Sequence, residues 1–136
     1  MRTTTFGLGC VASVFAIGLC LSCTLPARLE SISISPATAS AQNSNQGEVQ
    51  FVATGTYSDG RVVTPLTVLW GFHAPWIEIP DHIGISIDSS SGLARCDGYK
   101  GTEPVVAIAP TDPSFSLNRM NVGTSIVSAT ARLTCE

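Results

Sequence analysis

ATGTYSDGRVVTPLTVLW, residues 53–70, alternates apolar and polar side chains up to an Asp-Gly pair and then runs on to a tryptophan. Strict alternation places one set of side chains on each face of a strand, and Asp-Gly between two such runs is a strong local hairpin signal. With Asp59 and Gly60 as a two-residue loop, Ser58 faces Arg61, and Tyr57 faces Val62 as a cross-strand pair. Gly60 takes the positive φ the turn demands, and Asp59 tolerates it better than most residues. Pro65 has no amide to give a ladder, so pairing is expected to end or bulge there. A new strand, 66–72, then carries Trp70, which is expected to face the core. Asp59 is read as a turn former, and Tyr57 and Trp70 as scaffold.

The same period extends in both directions. Ile32 and Ile34 alternate with Ser31, Ser33 and Ser35, and Val49, Phe51, Ala53, Gly55 and Tyr57 alternate with more polar neighbours. SPATASAQNSNQGE, between these two runs, reads as a polar loop. Downstream, Ile83, Ile85 and Ile87 resume the alternation, DSSSG (88–92) is a second turn, and strands follow at 93–96, 105–109 and 127–135. No helical period occurs after the first two dozen residues. The expected fold is all-β, with about seven to eight strands and turn signals at the spacing of a β-sandwich.

Composition sets further bounds. The 136 residues suffice for one domain, with 12% charged residues and a net charge of −3. A nucleic-acid binder shows a basic face, and here the few charges are scattered singly, so nucleic acid is not an expected partner. Residues 1–22 have the layout of a signal peptide: Arg2 near the start, then an uncharged apolar run from Phe6 to Leu21. The uncharged stretch reaches Leu25 and could just span a bilayer, but Gly7, Gly9 and Pro26 favour a cleaved signal. LCLSCT around Cys23 resembles a bacterial lipobox, with Leu21 and Ser22 before the cysteine and Cys20 where the motif usually has leucine. Lipidation at Cys23 would supply a membrane anchor; ordinary secretion is the other outcome of the same segment. The chain then divides into residues 1–22, a tether at 23–28, and one domain at 29–136. The expected location is the cell envelope, lipid-anchored, or the exterior.

Of five cysteines, Cys10 and Cys20 leave with the signal and lipid occupies Cys23, so Cys96 and Cys135 remain as the one possible disulfide. Closing that loop stabilises the fold by about 4 kcal/mol in the chain-entropy account.

Few residues suggest chemistry. His73 and His82 flank the Pro-bounded stretch HAPWIEIPDH, with Glu78 and Asp81 between them, but Pro75 and Pro80 prevent the helix that would align a metal set. Asp59, Asp88, Asp97 and Asp112 stand beside Gly, Ser or Pro and read as turn formers. No Gly-x-Ser-x-Gly elbow is present, and no enzymatic constellation is expected. Trp76 is the open question. In a surface insert it either folds back over the sandwich edge or offers a face for a sugar ring or a partner protein, with His73 and His82 beside it. Phe115 and Met120, in the last long loop, carry the same two readings.

LESISISPATAS, VQFVATGTYSDGRVVTP, VLW, ISIDSSSGLARC, GTEPVVAIAP and SATARLTC together resemble the group 2 bacterial immunoglobulin-like domain of intimin- and invasin-type surface proteins. The resemblance covers roughly Leu29 to Cys135. In this chain FHAPWIEIPDHIG replaces the family's usual short serine-rich link after the tryptophan, and the loop before the last strand is longer. The resemblance implies a two-sheet immunoglobulin-like β-sandwich of about seven to eight strands used in surface display, adhesion or protein contact, with no catalytic residue and no cofactor. A small carbohydrate-binding module using Trp76 is the alternative.

Overall fold

The computed structural model describes residues 26–43, 45–73, 84–117 and 123–136. The expected signal peptide at 1–22, Cys23 and the first part of the expected tether, Trp76, His82 and Met120 lie outside the described residues. Those described form ten strands: β1 (Leu29–Ser35), β2 (Thr38–Ser40), β3 (Glu48–Gln50), β4 (Val52–Tyr57), β5 (Val62–Val63), β6 (Leu69–Phe72), β7 (Ile85–Ile87), β8 (Leu93–Cys96), β9 (Gly101–Pro110) and β10 (Ile126–Cys135). Two short 3-10 turns, Ala41–Asn43 and Asn45–Gly47, lie between β2 and β3. No helix of the described residues is long and apolar enough to cross a membrane.

The chain is an all-β sandwich. One layer has the order β1-β4-β5 and continues as β3-β8-β7, because β3 and β4 are one extended run broken only at Phe51. The other layer has the order β2-β10-β9-β6. β1 pairs antiparallel with β4 in the first layer, whereas β2 pairs in parallel with β10 in the second. The chain therefore changes layers within a few residues around Pro36, whose missing amide suits a break between ladders. That switch explains why the polar stretch after Ser35 is not simply a loop: Thr38–Ser40 is held by a strand ninety residues away. A parallel partner so distant leaves no local signature.

Alternation builds the core. In β4 the buried set is Ala53, Gly55 and Tyr57, continuing from Val49 and Phe51. From the other layer come Val68, Trp70, Val105, Ala107, Ala109, Ala131, Leu133 and Cys135. Trp70 is 5% exposed and meets Phe51 across the layers, with ring centroids 6.4 Å apart and planes tilted by 41°. The turn after β7 closes over it. The Trp70 amide donates to the Ser89 carbonyl at 3.0 Å, and the Phe51 amide donates to the Gly92 carbonyl at 3.0 Å. Gly92 has φ +74, and a Cβ there would lie 2.6 Å from Trp70 Cε2, so backbone conformation and space both demand glycine.

The first hairpin departs from the two-residue loop expected for Asp-Gly. The Tyr57 amide donates to the Arg61 carbonyl at 2.9 Å, and the Gly60 amide donates to the Tyr57 carbonyl at 2.8 Å. Gly60 has φ +83, while Ser58 and Asp59 keep ordinary negative φ. This is a three-residue loop, a type I turn followed by a left-handed glycine bulge. The extra loop residue shifts the register by one, so Val62 pairs with Thr56 and not with Tyr57. Because side chains alternate with period two, one step moves Val62 to the solvent face, where it is 60% exposed, while Tyr57 stays buried. Arg61 takes the place expected for Val62, its guanidinium 4.4 Å above the Tyr57 ring. Two other expectations shift. The strand carrying Trp70 begins at Leu69, because the Leu66 amide is drawn to the Ala53 carbonyl at 2.8 Å. β9 extends to Gly101, four residues before the expected start, because it pairs with β10 along its whole length.

Candidate functional site

Three side chains converge where β6 ends, on an inward position near the start of β9. Glu103 occupies the same phase of β9 as Val105, Ala107 and Ala109, and it is the one buried charged residue among those described, at 9% exposure. Its Oε2 lies 3.0 Å from His73 Nε2, and its Oε1 accepts a hydrogen bond from the Tyr99 hydroxyl. Both carboxylate oxygens are thus engaged, which a nearly buried acid requires. The hydrogen bond to Glu103 raises the Tyr99 pKa above the ordinary value of 10.0, and burial and the Glu103 charge act in the same direction.

Each partner is set by backbone. His73 has φ +63, rare for a residue with a Cβ, and its amide donates to the Pro104 carbonyl at 3.4 Å. Tyr99 lies in the bend between β8 and β9, and its amide donates to the Gly84 carbonyl at 3.2 Å. The same carbonyl accepts from the Asp97 amide at 2.6 Å. His73 and Gly84 are the described residues on either side of 74–83. Both ends of that segment are therefore fastened to one cluster, His73 directly through Glu103 and Gly84 through the bend that carries Tyr99. The cluster can hold the stems of a long insert in fixed relation.

The structure places Cys96 of β8 and Cys135 of β10 at this same end, with Cα atoms 5.8 Å apart, the separation of a disulfide. The pair links the two layers, and Cys135 faces Gly101, two residues from Glu103. Of the other candidates, Tyr57, Asp59 and Gly60 belong to the hairpin at the opposite end, and Trp70 belongs to the core between. Asp88 and Asp112 cap turns. Asp88 Oδ1 accepts from the Ser90 hydroxyl at 2.7 Å and from the Ser90 and Ser91 amides at 3.0 and 2.6 Å. These bonds, the Ser90 hydroxyl foremost, hold its carboxyl well below the ordinary range. Asp112 is lowered in the same way by Ser114. Of the imagined metal set His73, Asp81 and His82, only His73 is among the described residues, and no three-residue metal-ligating group occurs among those described.

Sequence reasoning named His73 but missed Glu103 and Tyr99. A signal for Glu103 existed: an acid in the inward phase of GTEPVVAIAP, where every later inward position is Val or Ala. Compared with known proteins, the chain matches no protein-family model and no curated protein.

Proposed function

We propose that the chain is a non-catalytic cell-envelope module of immunoglobulin-like type, exported and lipid-anchored through Cys23, which presents the 74–83 insert for adhesion or protein contact. The supporting observation is the polarity of the sandwich. Chain leaves the Cys23 tether at Arg28, whose amide and carbonyl bond Ser58 at the hairpin end, at 2.9 and 2.8 Å. The stems of the insert are fastened by Glu103 at the other end of β9. Seven residues of β9 separate Glu103 from Pro110 at the hairpin end, about 23 Å at ~3.3 Å per residue. An insert held by buried hydrogen bonds at the tip farther from the tether suits display, since contact residues are commonly loops on a rigid scaffold. The likeness of residues 29–135 to group 2 bacterial immunoglobulin-like domains supports the same function.

Exchanging residues 75–82 for a short Gly-Ser link should abolish binding of cells to surfaces coated with the protein, while the unfolding midpoint stays near wild type. Undiminished binding by that variant would remove the display function. A glycan array distinguishes the kind of contact: sugar binding lost in Trp76→Ala assigns a carbohydrate module, and no sugar binding assigns a protein partner.

A further inference from the structure

The tethered end carries a second feature that adhesion does not use. Between β4, the end of β5, the link at 64–68 and the loop after β9 lies a groove of about 510 Å³, lined by Leu29, Tyr57, Leu66, Pro110, Phe115 and Leu117 among others. The groove is a fixed part of the fold. The Leu29 amide donates to the Thr111 carbonyl at 2.8 Å, and the Phe115 amide donates to the Asp112 carbonyl at 3.1 Å, so the first strand and the loop bearing Phe115 are stitched to each other. Asp112 Oδ1 further accepts from the Ser114 amide at 2.9 Å, which holds the loop just before Phe115.

Phe115 stands on the groove's rim, 53% exposed. It and Val62 are the exposed large hydrophobic residues among those described, and both lie at this one end. Val62 projects from the outer face of the hairpin at this end, and its neighbour Val63, facing the other way, lines the groove. Arg28 and Arg61 flank the same end together with Glu30, Asp59 and Asp112, so the described charges there sum to only −1.

We infer that this end of the domain docks on the lipid surface, with Phe115 and Val62 entering the boundary between headgroups and acyl chains. The occupant follows from chain length. Cys23 precedes Arg28 by five residues, which span at most about 17 Å when fully extended. A lipidated Cys23 therefore keeps the groove end within that distance of the bilayer. The stretch of β9 from Pro110 to Glu103, about 23 Å long, then carries the insert stems away from the membrane. Amphipathic surfaces bind such boundaries through modest apolar area when a covalent lipid already holds them nearby. The inference rests on the lipid-anchor proposal, and the two are tested separately.

The full chain is purified from membranes and its intact mass is read first, which decides acylation at Cys23 by itself. An acylated chain is reconstituted in phosphatidylcholine–phosphatidylglycerol vesicles containing brominated phospholipid. Phe115→Trp should then gain strongly quenched emission, while Thr102→Trp, at the opposite end, should gain unquenched emission. Equal quenching at the two positions overturns the docking geometry even though the anchor stands. If Cys23 carries no acyl chain, wild type and Phe115→Ser are offered to the same vesicles by flotation. A loss of partition of about fivefold or more in Phe115→Ser supports docking without an anchor, whereas equal partition, or none by either protein, overturns it. Sedimentation in detergent covers the other occupant: a dimer that Phe115→Ser dissociates assigns the groove to a second copy and overturns docking on lipid.

Discussion

Replacing Gly92 by alanine should be among the most damaging single-methyl additions this fold can receive. The new Cβ would sit 2.6 Å from Trp70 Cε2, 2.8 Å from Trp70 Nε1 and 2.9 Å from the Phe51 carbonyl oxygen. Neither the ring nor that carbonyl can withdraw freely. Trp70 is wedged against Phe51, and its amide is bonded to Ser89. Overpacking of this kind costs about 1–3 kcal/mol. The φ of +74 adds about 1 kcal/mol for a residue with a Cβ. Loosening the bond from the Phe51 amide to the Gly92 carbonyl adds up to about 1 kcal/mol. Against these, alanine lowers the entropy of the unfolded chain and offsets about 0.4–1 kcal/mol. The net expectation is a destabilisation of about 2–4 kcal/mol. Urea unfolding followed by tryptophan fluorescence measures it, as a midpoint lowered by about 1–2 M. Gly71→Ala is the matched control. Gly71 adjoins Trp70 in β6, no atom lies within 4 Å of its would-be Cβ, and its φ is outside the left-handed range. It should be neutral or slightly stabilising. If Gly92→Ala unfolds at the same urea concentration as Gly71→Ala, the account of how the second turn covers Trp70 is wrong.

Three further outcomes are expected. Gly60→Val has open space around its Cβ, so only backbone strain at φ +83 acts, and the hairpin should lose about 1–2 kcal/mol in the same assay; a neutral result would contradict the left-handed bulge. Asp88 has a folded pKa lowered from 3.8, so its contribution to stability is present above pH 4 and drains as the pH falls toward the lowered value. Urea midpoints between pH 5 and pH 2.5 should therefore fall more steeply for wild type than for Asp88→Asn, and parallel profiles would show that the turn bonds do not stabilise the ionised acid. Mass spectrometry of the unreduced chain should find it two protons lighter than after reduction, with Cys96 and Cys135 in one linked peptide; separate peptides would rule out the bridge.

Much of the scaffold was legible because alternation is local. The inward sets of β4, β9 and β10 follow directly from period two, and the burial of Trp70 goes with them. Asp59-Gly60 announced a turn, yet Asp-Gly serves both a two-residue loop and a three-residue loop with a glycine bulge. The choice rests on whether Asp59 itself takes positive φ, which no residue type dictates. The candidate site was half legible. His73 was visible as one of two histidines, but its partner Glu103 lies thirty residues on in sequence, and Tyr99 enters only because β8 and β9 turn back past Gly84.

By itself, then, the amino-acid order determined that this chain forms strands, where the turns fall, and which side chains face inward, because each of these depends on neighbours a few residues apart. Tertiary structure decided the rest. It set the register of the first hairpin and placed Thr38–Ser40 beside β10. It also placed a buried acid beneath the insert's stems, with an apolar groove at the other end. Each of those depends on which strands meet across a long loop, a choice made by the packing energy of the whole sandwich and not by any short stretch of it.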